Sequence, residues 1–416
     1  MQKFAGFGKK IRRALALVLA AAGLFALCSC GQAADDYFIE FSLSDEVYVD
    51  GAPLSSRERD ALEGEIASLL RAVEDEVSSD REGSDVSRVN AAAAGESVAV
   101  GEYTQAMLRL AASLYGQTGG AFSPALYPLS DLWGFTPRFE GQYSVPREEP
   151  SAAALEEALA LSSFESFSFG EGSAVKQTDG AGLDLGGIAK GYMCDVAAAY
   201  IREKYAGHEV SCTVTVMSGS VLLGQKQDDE TGLGYTASVD NPRSAVTSGA
   251  GAGQALFLAG LSDVAVSTSA DNYRFYVYEG KIYPHIIDPS DGKPADNGVI
   301  SVTVLVPLGV PYAASAADAY STAGFCMPLT DTLAFYERLA EEQGVAAVVI
   351  TRDFRYYVIG NCSVYGRTKF DGMIGSEGYF SEEVFARAEV ADASDDVPPD
   401  ARETEYIAAM ADRQAR

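Results

Sequence analysis

Three short stretches of the chain carry residue types that chemistry needs at usable spacing. The first is Leu183-Asp184-Leu185-Gly186-Gly187-Ile188-Ala189-Lys190-Gly191, which reads as a strand end running through two glycines into a helix. Such a start leaves unpaired N–H groups with close backbone access, which suits a diphosphate, and Lys190 adds a cation within the first turn. Taken alone, the same residues are better read as a glycine turn in which Asp184 caps a helix and Lys190 stands in water. The second stretch, Tyr283 to Pro294, holds His285, one of only two histidines, between β-rich segments and ahead of the turn residues Pro289 and Gly292. A loop histidine titrates near neutral pH and can act as a general base; a structural histidine reads equally well here. His208 lies in a polar loop after a helix and has no such setting. In the third stretch, Ala316 to Ala323, Asp318 and Thr322 stand four apart on a predicted helix. A carboxylate and a hydroxyl then share a face and can share a hard cation such as Mg²⁺, which completes its shell with water and phosphate. Many helices show this spacing for no chemical reason.

These groups need elements to position them. Phe38–Val49 reads as a strand, and Ser56–Val77 as a helix with Leu62, Ile66, Leu69, Leu70 and Val73 at helical spacing. A helix over Thr104–Thr118 is stopped by Gly119-Gly120, and the Pro-rich run Pro124–Pro150 is too long for an ordinary connection, so it should contain turns and line something. Ser151–Leu161 reads as a short helix, Phe164–Phe169 with Ser173–Thr178 as a hairpin, and Ile188–Tyr205 as a helix. Ser211–Val306 is β-rich except around Ser269–Asn272; helices over Ala313–Phe325 and Leu329–Gln343 and strands over Ala346–Ile350 and Tyr356–Val358 follow. The mixture implies an α+β fold, a largely antiparallel sheet flanked by helices, over residues 38–390. From about Ala391 to residue 416 the acidic, Pro-containing sequence reads as a solvated, disordered tail.

With 47% hydrophobic and 22% charged residues over 416 positions, the chain is neither disordered nor fibrous and can bury a sizeable core. A formal charge of −28 excludes a nucleic-acid binder, which needs clustered Lys and Arg against phosphates. Residues 1–29 have their own layout: Arg12 and Arg13 precede an apolar run from Ala14 to Leu27, as in a secretory signal, although an uncleaved membrane anchor would look similar. Leu27-Cys28-Ser29-Cys30-Gly31 resembles a bacterial lipobox. Cys30 would become the lipidated first residue, tethering the protein to the outer face of the cell membrane through a 30–37 linker, each buried methylene adding about 0.8 kcal/mol. Cys194, Cys212, Cys326 and Cys362 are widely spaced, without the pattern of a zinc site, and read as small buried hydrophobes.

Taken in order along the chain, these signals and a few more form a recognisable set. Ser84-Asp85-Val86-Ser87-Arg88-Val89-Asn90 comes first, then Thr118-Gly119-Gly120-Ala121-Phe122-Ser123-Pro124 with Leu129-Ser130-Asp131-Leu132-Trp133-Gly134-Phe135. Asp184 to Asp195, Ser267-Thr268-Ser269, His285 to Pro294 and Asp318 to Thr322 follow. From about Ser78 to Ile350 the chain thereby resembles the bacterial FAD:protein FMN transferase (ApbE) family. The resemblance implies a T-fold-like flavin transferase that takes FAD as substrate. Its FMN half would pass to a Thr or Ser hydroxyl of extracytoplasmic acceptor proteins, releasing AMP in an Mg²⁺-dependent reaction. By motif match, the metal falls to Asp318, Thr322 and the Gly187 carbonyl, FAD contacts to Ala121, Phe122, Ser123, Asp184, Lys190 and Ile287, and the role of base to His285. A lipoprotein that stores FAD, or one that hydrolyses it to FMN and AMP, is the alternative. Departures from the family pattern gather on the flavin side. Phe38–Val47 lacks the usual Met-Gly-Thr-like motif, Asp80 stands where a Tyr is usual, Ser123 where an Asp is, and Ser218-Gly219-Ser220 where Gly-Gly-Asn is.

Overall fold

The valine-rich runs Val264–Ala270, Val299–Pro307 and Ala346–Thr351 lie side by side and form the centre of a ten-stranded sheet. Such β-branched runs suit a strand buried on both faces. Eight of the nine residues of Val299–Pro307 are buried accordingly. From one edge the order is Ala388–Ala391, Arg355–Ile359, Ala346–Thr351, Val299–Pro307, Val264–Ala270, Gly219–Leu223, Val210–Val216, Tyr48–Val49 and Ala52–Pro53. Phe41–Leu43 also pairs with Val210–Val216, and every pairing is antiparallel. The structure, a computed structural model, describes residues 40–139, 141–227, 234–240, 242–243, 254–353, 355–366, 388–391 and 399–414. The expected leader at 1–29, with its lipidation site Cys30, and the linker at 30–37 lie outside the described residues.

Among the described residues the α-helices are α1 (Ser56–Val77), α2 (Asp85–Ala91), α3 (Glu102–Gln117), α4 (Tyr127–Leu132), α5 (Ala152–Leu161), α6 (Gly186–Lys204), α7 (Ala313–Cys326), α8 (Leu329–Gln343) and α9 (Pro399–Gln414). Helix α7 is buried on nearly every side between the sheet and α6. Against the sheet's other face packs a three-stranded sheet containing Tyr235–Asp240 and Gln254–Leu261, with Val239 and Leu258 meeting Val266, Val348 and Tyr356. The hairpin of Phe275–Tyr278 with Lys281–Pro284 forms a separate two-stranded sheet.

Local chemistry accounts for most of these elements. Helix α1 opens on a capping box, with the Glu58 N–H bonded to the Ser55 hydroxyl and the Glu58 carboxylate reaching back to the Ser55 N–H. Its apolar stripe, Leu62, Ile66, Leu69, Leu70 and Val73, is buried as the spacing requires. The Pro-rich run does contain structure, α4 and a short 3₁₀ turn at Pro137–Phe139, and Leu129, Trp133 and Phe135 from it line an aromatic cluster with Tyr276, Tyr283 and Ile287.

Three expectations are corrected. The first strand is two short ones, Phe41–Leu43 and Tyr48–Val49, with Asp45 and Glu46 exposed between them. Leu183–Leu185 is not a strand, and the two glycines are the first residues of α6 rather than a turn before it, because the Ala189 N–H already bonds the Leu185 carbonyl at 2.9 Å. The acidic segment from Ala391 onward is not a solvated tail over Pro399–Gln414: that stretch is a helix with Tyr406 and Met410 buried. All four cysteines Cys194, Cys212, Cys326 and Cys362 are buried free thiols.

Candidate active site

Helices α6 and α7 touch at Gly191, where a β-carbon would fall 2.1 Å from the Ala314 carbonyl oxygen. Only a residue without one allows this approach. One turn on, Asp195 of α6 receives the free N–H groups at the start of α7, from Ala314 at 3.0 Å and Ser315 at 2.8 Å, together with the Ser315 hydroxyl at 2.6 Å. This carboxylate substitutes for a cap that Tyr312, at φ 55°, does not supply. Burial pushes its pKa up to about 6, against the pull of those hydrogen bonds. Gly191 and Asp195 thus fix both the distance and the rotation of α7 relative to α6.

That placement brings Asp318 back onto α6. The residue is 1% exposed. Oδ2 accepts the Gly191 N–H at 3.1 Å, and Oδ1 lies 3.0 Å from the Lys190 ammonium and 3.3 Å from the Ser267 hydroxyl. Lys190 also donates to the Gly186 carbonyl at 2.8 Å, so a cation already bridges Asp318 and the first turn of α6. Lys190 is therefore an ion-paired residue and not a solvated one. Thr322 donates to the Asp318 carbonyl at 3.1 Å, and its hydroxyl is 3.5 Å from the point where a β-carbon on Gly187 would sit. Ser269 stands 2.9 Å from Ser321 and 3.4 Å from Thr322, hydroxyl to hydroxyl. Gly187, Asp318, Thr322 and Lys190 are accordingly brought together. Among the described residues no group of three or more His, Cys, Asp or Glu could hold a metal ion. What converges is one carboxylate with neutral hydroxyl and carbonyl oxygens, which fits a hard cation that leaves most of its shell to water and substrate, and does not fit zinc.

The remaining sequence candidates surround this centre. Phe122, 2% exposed, reaches within 3.2 Å of the β-carbon position of Gly187. Ala121 is partly open and Ser123 is buried. Asp184 accepts the Gly186 N–H at 2.9 Å and the Ser130 hydroxyl at 3.2 Å, so an anion of the chain itself occupies the first donor of α6. The segment before α6 is held by Asn90, whose side-chain amide bonds the Leu183 N–H at 2.7 Å and the Leu183 carbonyl at 2.9 Å. At the position of the expected Tyr, Asp80 receives the Tyr127 hydroxyl at 3.1 Å, and burial, followed by the charges of Asp184 and Asp131, raises its pKa. Ile287 differs from the other candidates, since its side chain is sealed in the aromatic cluster.

His285 follows the separate hairpin. Its ring sits against the edge of Phe135, with 6.4 Å between centroids, and its Nδ1 lies 3.1 Å from the Arg274 carbonyl. A carbonyl only accepts, so Nδ1 carries the hydrogen and Nε2 is left with a lone pair. Dense surroundings, then the positive charges of Arg274 and Lys190, push the pKa down to about 3, although part of the residue still meets solvent. His285 is thus held neutral across the physiological range, with Nε2 unprotonated. His208 is exposed, paired with Asp50 at 2.6 Å, and far from this arrangement in role.

A family model described as the ApbE family matches residues 39–349. The chain belongs to the ApbE family. It is 31% identical over 244 residues to the FAD:protein FMN transferase of Vibrio cholerae serotype O1, covering 59% of this chain and 68% of that one. Identity to the FAD:protein FMN transferase of Treponema pallidum is also 31%, over 306 residues, covering 70% and 77%. Among solved structures, the flavin transferase ApbE from Vibrio cholerae superposes with a TM-score of 0.61 at 26% identity, covering 77% of this chain and 97% of that chain. The ApbE protein of Thermotoga maritima gives the same TM-score and identity, covering 81% and 100%. The α+β sheet-and-helix architecture is therefore the ApbE one.

Sequence reasoning gave no role to Ser267, Ser269, Ser321, Gly191 or Asp195. A signal existed for the first two: strand alternation across Ser267-Thr268-Ser269 puts Ser267 and Ser269 on one face, buried toward α7, and Thr268 on the other.

Proposed function

We propose that this ApbE-family protein is an enzyme that transfers the FMN half of FAD to a Thr or Ser hydroxyl of an acceptor protein, with AMP as the leaving group. The observation that carries this reading is the buried Asp318 carboxylate, held between α6 and α7 beside Lys190 and Thr322, with a neutral histidine as the nearby proton acceptor. Asp318, Thr322 and the Gly187 carbonyl would hold Mg²⁺, which when bound neutralises charge on the diphosphate. Lys190 adds a second positive charge on the same side. The acceptor hydroxyl gives its proton to His285 Nε2 as its oxygen attacks the FMN phosphorus, and the bond from that phosphorus to the AMP oxygen breaks. A dianionic diphosphate nearby offsets the charges of Arg274 and Lys190 and so strengthens His285 as a base in the substrate complex. Phe122 walls the site beside Gly187 and keeps water from competing with the acceptor hydroxyl.

The basic n-region, apolar run and lipobox-like Leu27–Gly31 support a lipid anchor at Cys30. Acceptors would then be proteins at the extracytoplasmic face of the membrane. Incubating the protein with FAD, Mg²⁺ and a Thr-containing acceptor should yield covalently fluorescent acceptor and an equal amount of AMP. AMP without labelled acceptor would replace transfer by hydrolysis, and neither product would refute the reading.

A further inference from the structure

The hairpin that leads to His285 shares no strand pairing with the main sheet. An isolated two-stranded hairpin is marginal in water and must be covered to stay in place. Alternation divides its residues between two covers. Tyr276 and Tyr283, paired across the hairpin, stack at 5.0 Å and face Trp133 and Phe135. Val277 and Ile282, the next pair, face the other way and are buried against Tyr406 and Met410 of α9. The Gln414 side chain, at the end of α9, also accepts the Val277 N–H at 2.9 Å. Among the described residues, one side of the hairpin is therefore closed by a helix that lies beyond the residues matched by the family model.

Helix α9 is itself moored to the main sheet by an ion triad built on a buried arginine. Arg243 is 1% exposed and holds Asp271 with two parallel bonds of 2.7 and 2.8 Å. From its other edge it reaches Glu403 of α9 at 2.5 and 3.0 Å, and its guanidinium lies 4.7 Å from the Tyr406 ring centre. Asp271 directly follows the strand Val264–Ala270, and its N–H donates to the Ile300 carbonyl at 3.2 Å. The path of contact runs from the central sheet through Asp271, Arg243 and Glu403 to α9, and from α9 to the hairpin. A buried, bidentate arginine between two carboxylates fixes register more than it adds stability.

We propose that α9 is a clasp that positions His285, with Glu403 and Tyr406 as positioning residues that tie the hairpin to the central sheet. The importance of this for catalysis rests on the function proposed above, whereas the position of His285 can be read without any reaction. The chain has two histidines, so a His208→Gln background leaves one imidazole signal in the NMR spectrum. In the full chain that signal should titrate with a midpoint near 3. In Glu403→Ala and, separately, Tyr406→Ala, water reaches the ring and the midpoint should climb toward the ordinary value of about 6.5. Flavin transfer in both variants should lose at least tenfold in turnover while Mn²⁺ affinity holds, because Asp318 and Thr322 lie on α7 and are held by α6 and by Ser267 and Ser269 of the central sheet, not by α9. Hydrogen exchange over 399–414 reports whether the helix is released. A helix still protected in both variants would overturn the clasp, and a released helix with an unmoved His285 midpoint would overturn the positioning. A moved midpoint without loss of turnover would leave the clasp standing and sink the role of His285 as base.

Discussion

Replacing Gly191 by Ala tests the packing that assembles the site, because two opposing effects of known size meet there. Alanine inside a helix is more stable than glycine by about 1 kcal/mol. At Gly191, however, the new carbon would lie 2.1 Å from the Ala314 oxygen, 2.5 Å from its carbonyl carbon and 2.7 Å from Ser315 Cα, all backbone atoms. No side chain can rotate away, so α6 and α7 must part by about 1 Å, an overpacking cost at the upper end of roughly 1–3 kcal/mol. The net loss should be about 2 kcal/mol, a factor of about 30 in the folding equilibrium. The same displacement carries Asp318 away from the Gly191 N–H and from Lys190, now at 3.1 and 3.0 Å. Misplacement on this scale can lower turnover by about 10²-fold. Urea unfolding and transfer rates would be compared with Gly64→Ala, an exposed position on α1 with nothing within 4 Å, where the same change should stabilise by about 0.5–1 kcal/mol. If Gly191→Ala matched Gly64→Ala in stability and kept its rate, the reasoning about the helix crossing would be wrong.

Other consequences can be checked with simpler variants. Phe122→Ala should destabilise by about 3–5 kcal/mol and raise the share of AMP formed without labelled acceptor, seen by unfolding and product analysis. Asp195→Asn, which loses the charge that caps α7, should cost about 1–2 kcal/mol and weaken Mn²⁺ binding although it touches no metal ligand; unchanged affinity would count against the capping role. The folded pKa of His285, about 3, lies below the unfolded value near 6.5, so the unfolded chain binds the extra proton and stability from this group is lost as pH falls from about 6.5 toward 3. Wild type should therefore weaken more steeply than His285→Gln between pH 7 and 4, by an amount on the order of 2–3 kcal/mol, and parallel curves would contradict the assignment. Ser269→Ala should lower metal affinity by a few-fold, measured by titration, through loss of the hydroxyl beside Thr322 and Ser321.

Which parts of this molecule were legible beforehand follows from the range of the interactions concerned. Helix α1 could be read to the residue, Ser56 to Val77, because its apolar stripe is a local pattern. Asp318 and Thr322 could be paired from their spacing, and Ser151–Leu161 from composition. Gly186-Gly187 was misread as a turn because nothing nearby shows that the Leu185 carbonyl can already receive a helical hydrogen bond. The ion pair of Lys190 with Asp318 and the capping of α7 by Asp195 join residues more than a hundred positions apart, and no periodicity reports such contacts. Helix α9 was hidden by its acids: Glu403 looked solvated, whereas it is neutralised by an arginine from a distant connection. Ile287 was placed at the flavin by motif alone, and its side chain is sealed among aromatic rings.

We propose that one carboxylate and one hydroxyl of α7, facing Gly187, hold a divalent ion against the diphosphate of FAD. Manganous ion can stand in for magnesium, and pulsed electron paramagnetic resonance reports any phosphorus within bonding distance of it. With FAD bound, the wild type should show strong ³¹P coupling, lost in Asp318→Asn and weakened in Thr322→Val. A tightly bound ion with no phosphorus coupling, or coupling that survives Asp318→Asn unchanged, would contradict the account.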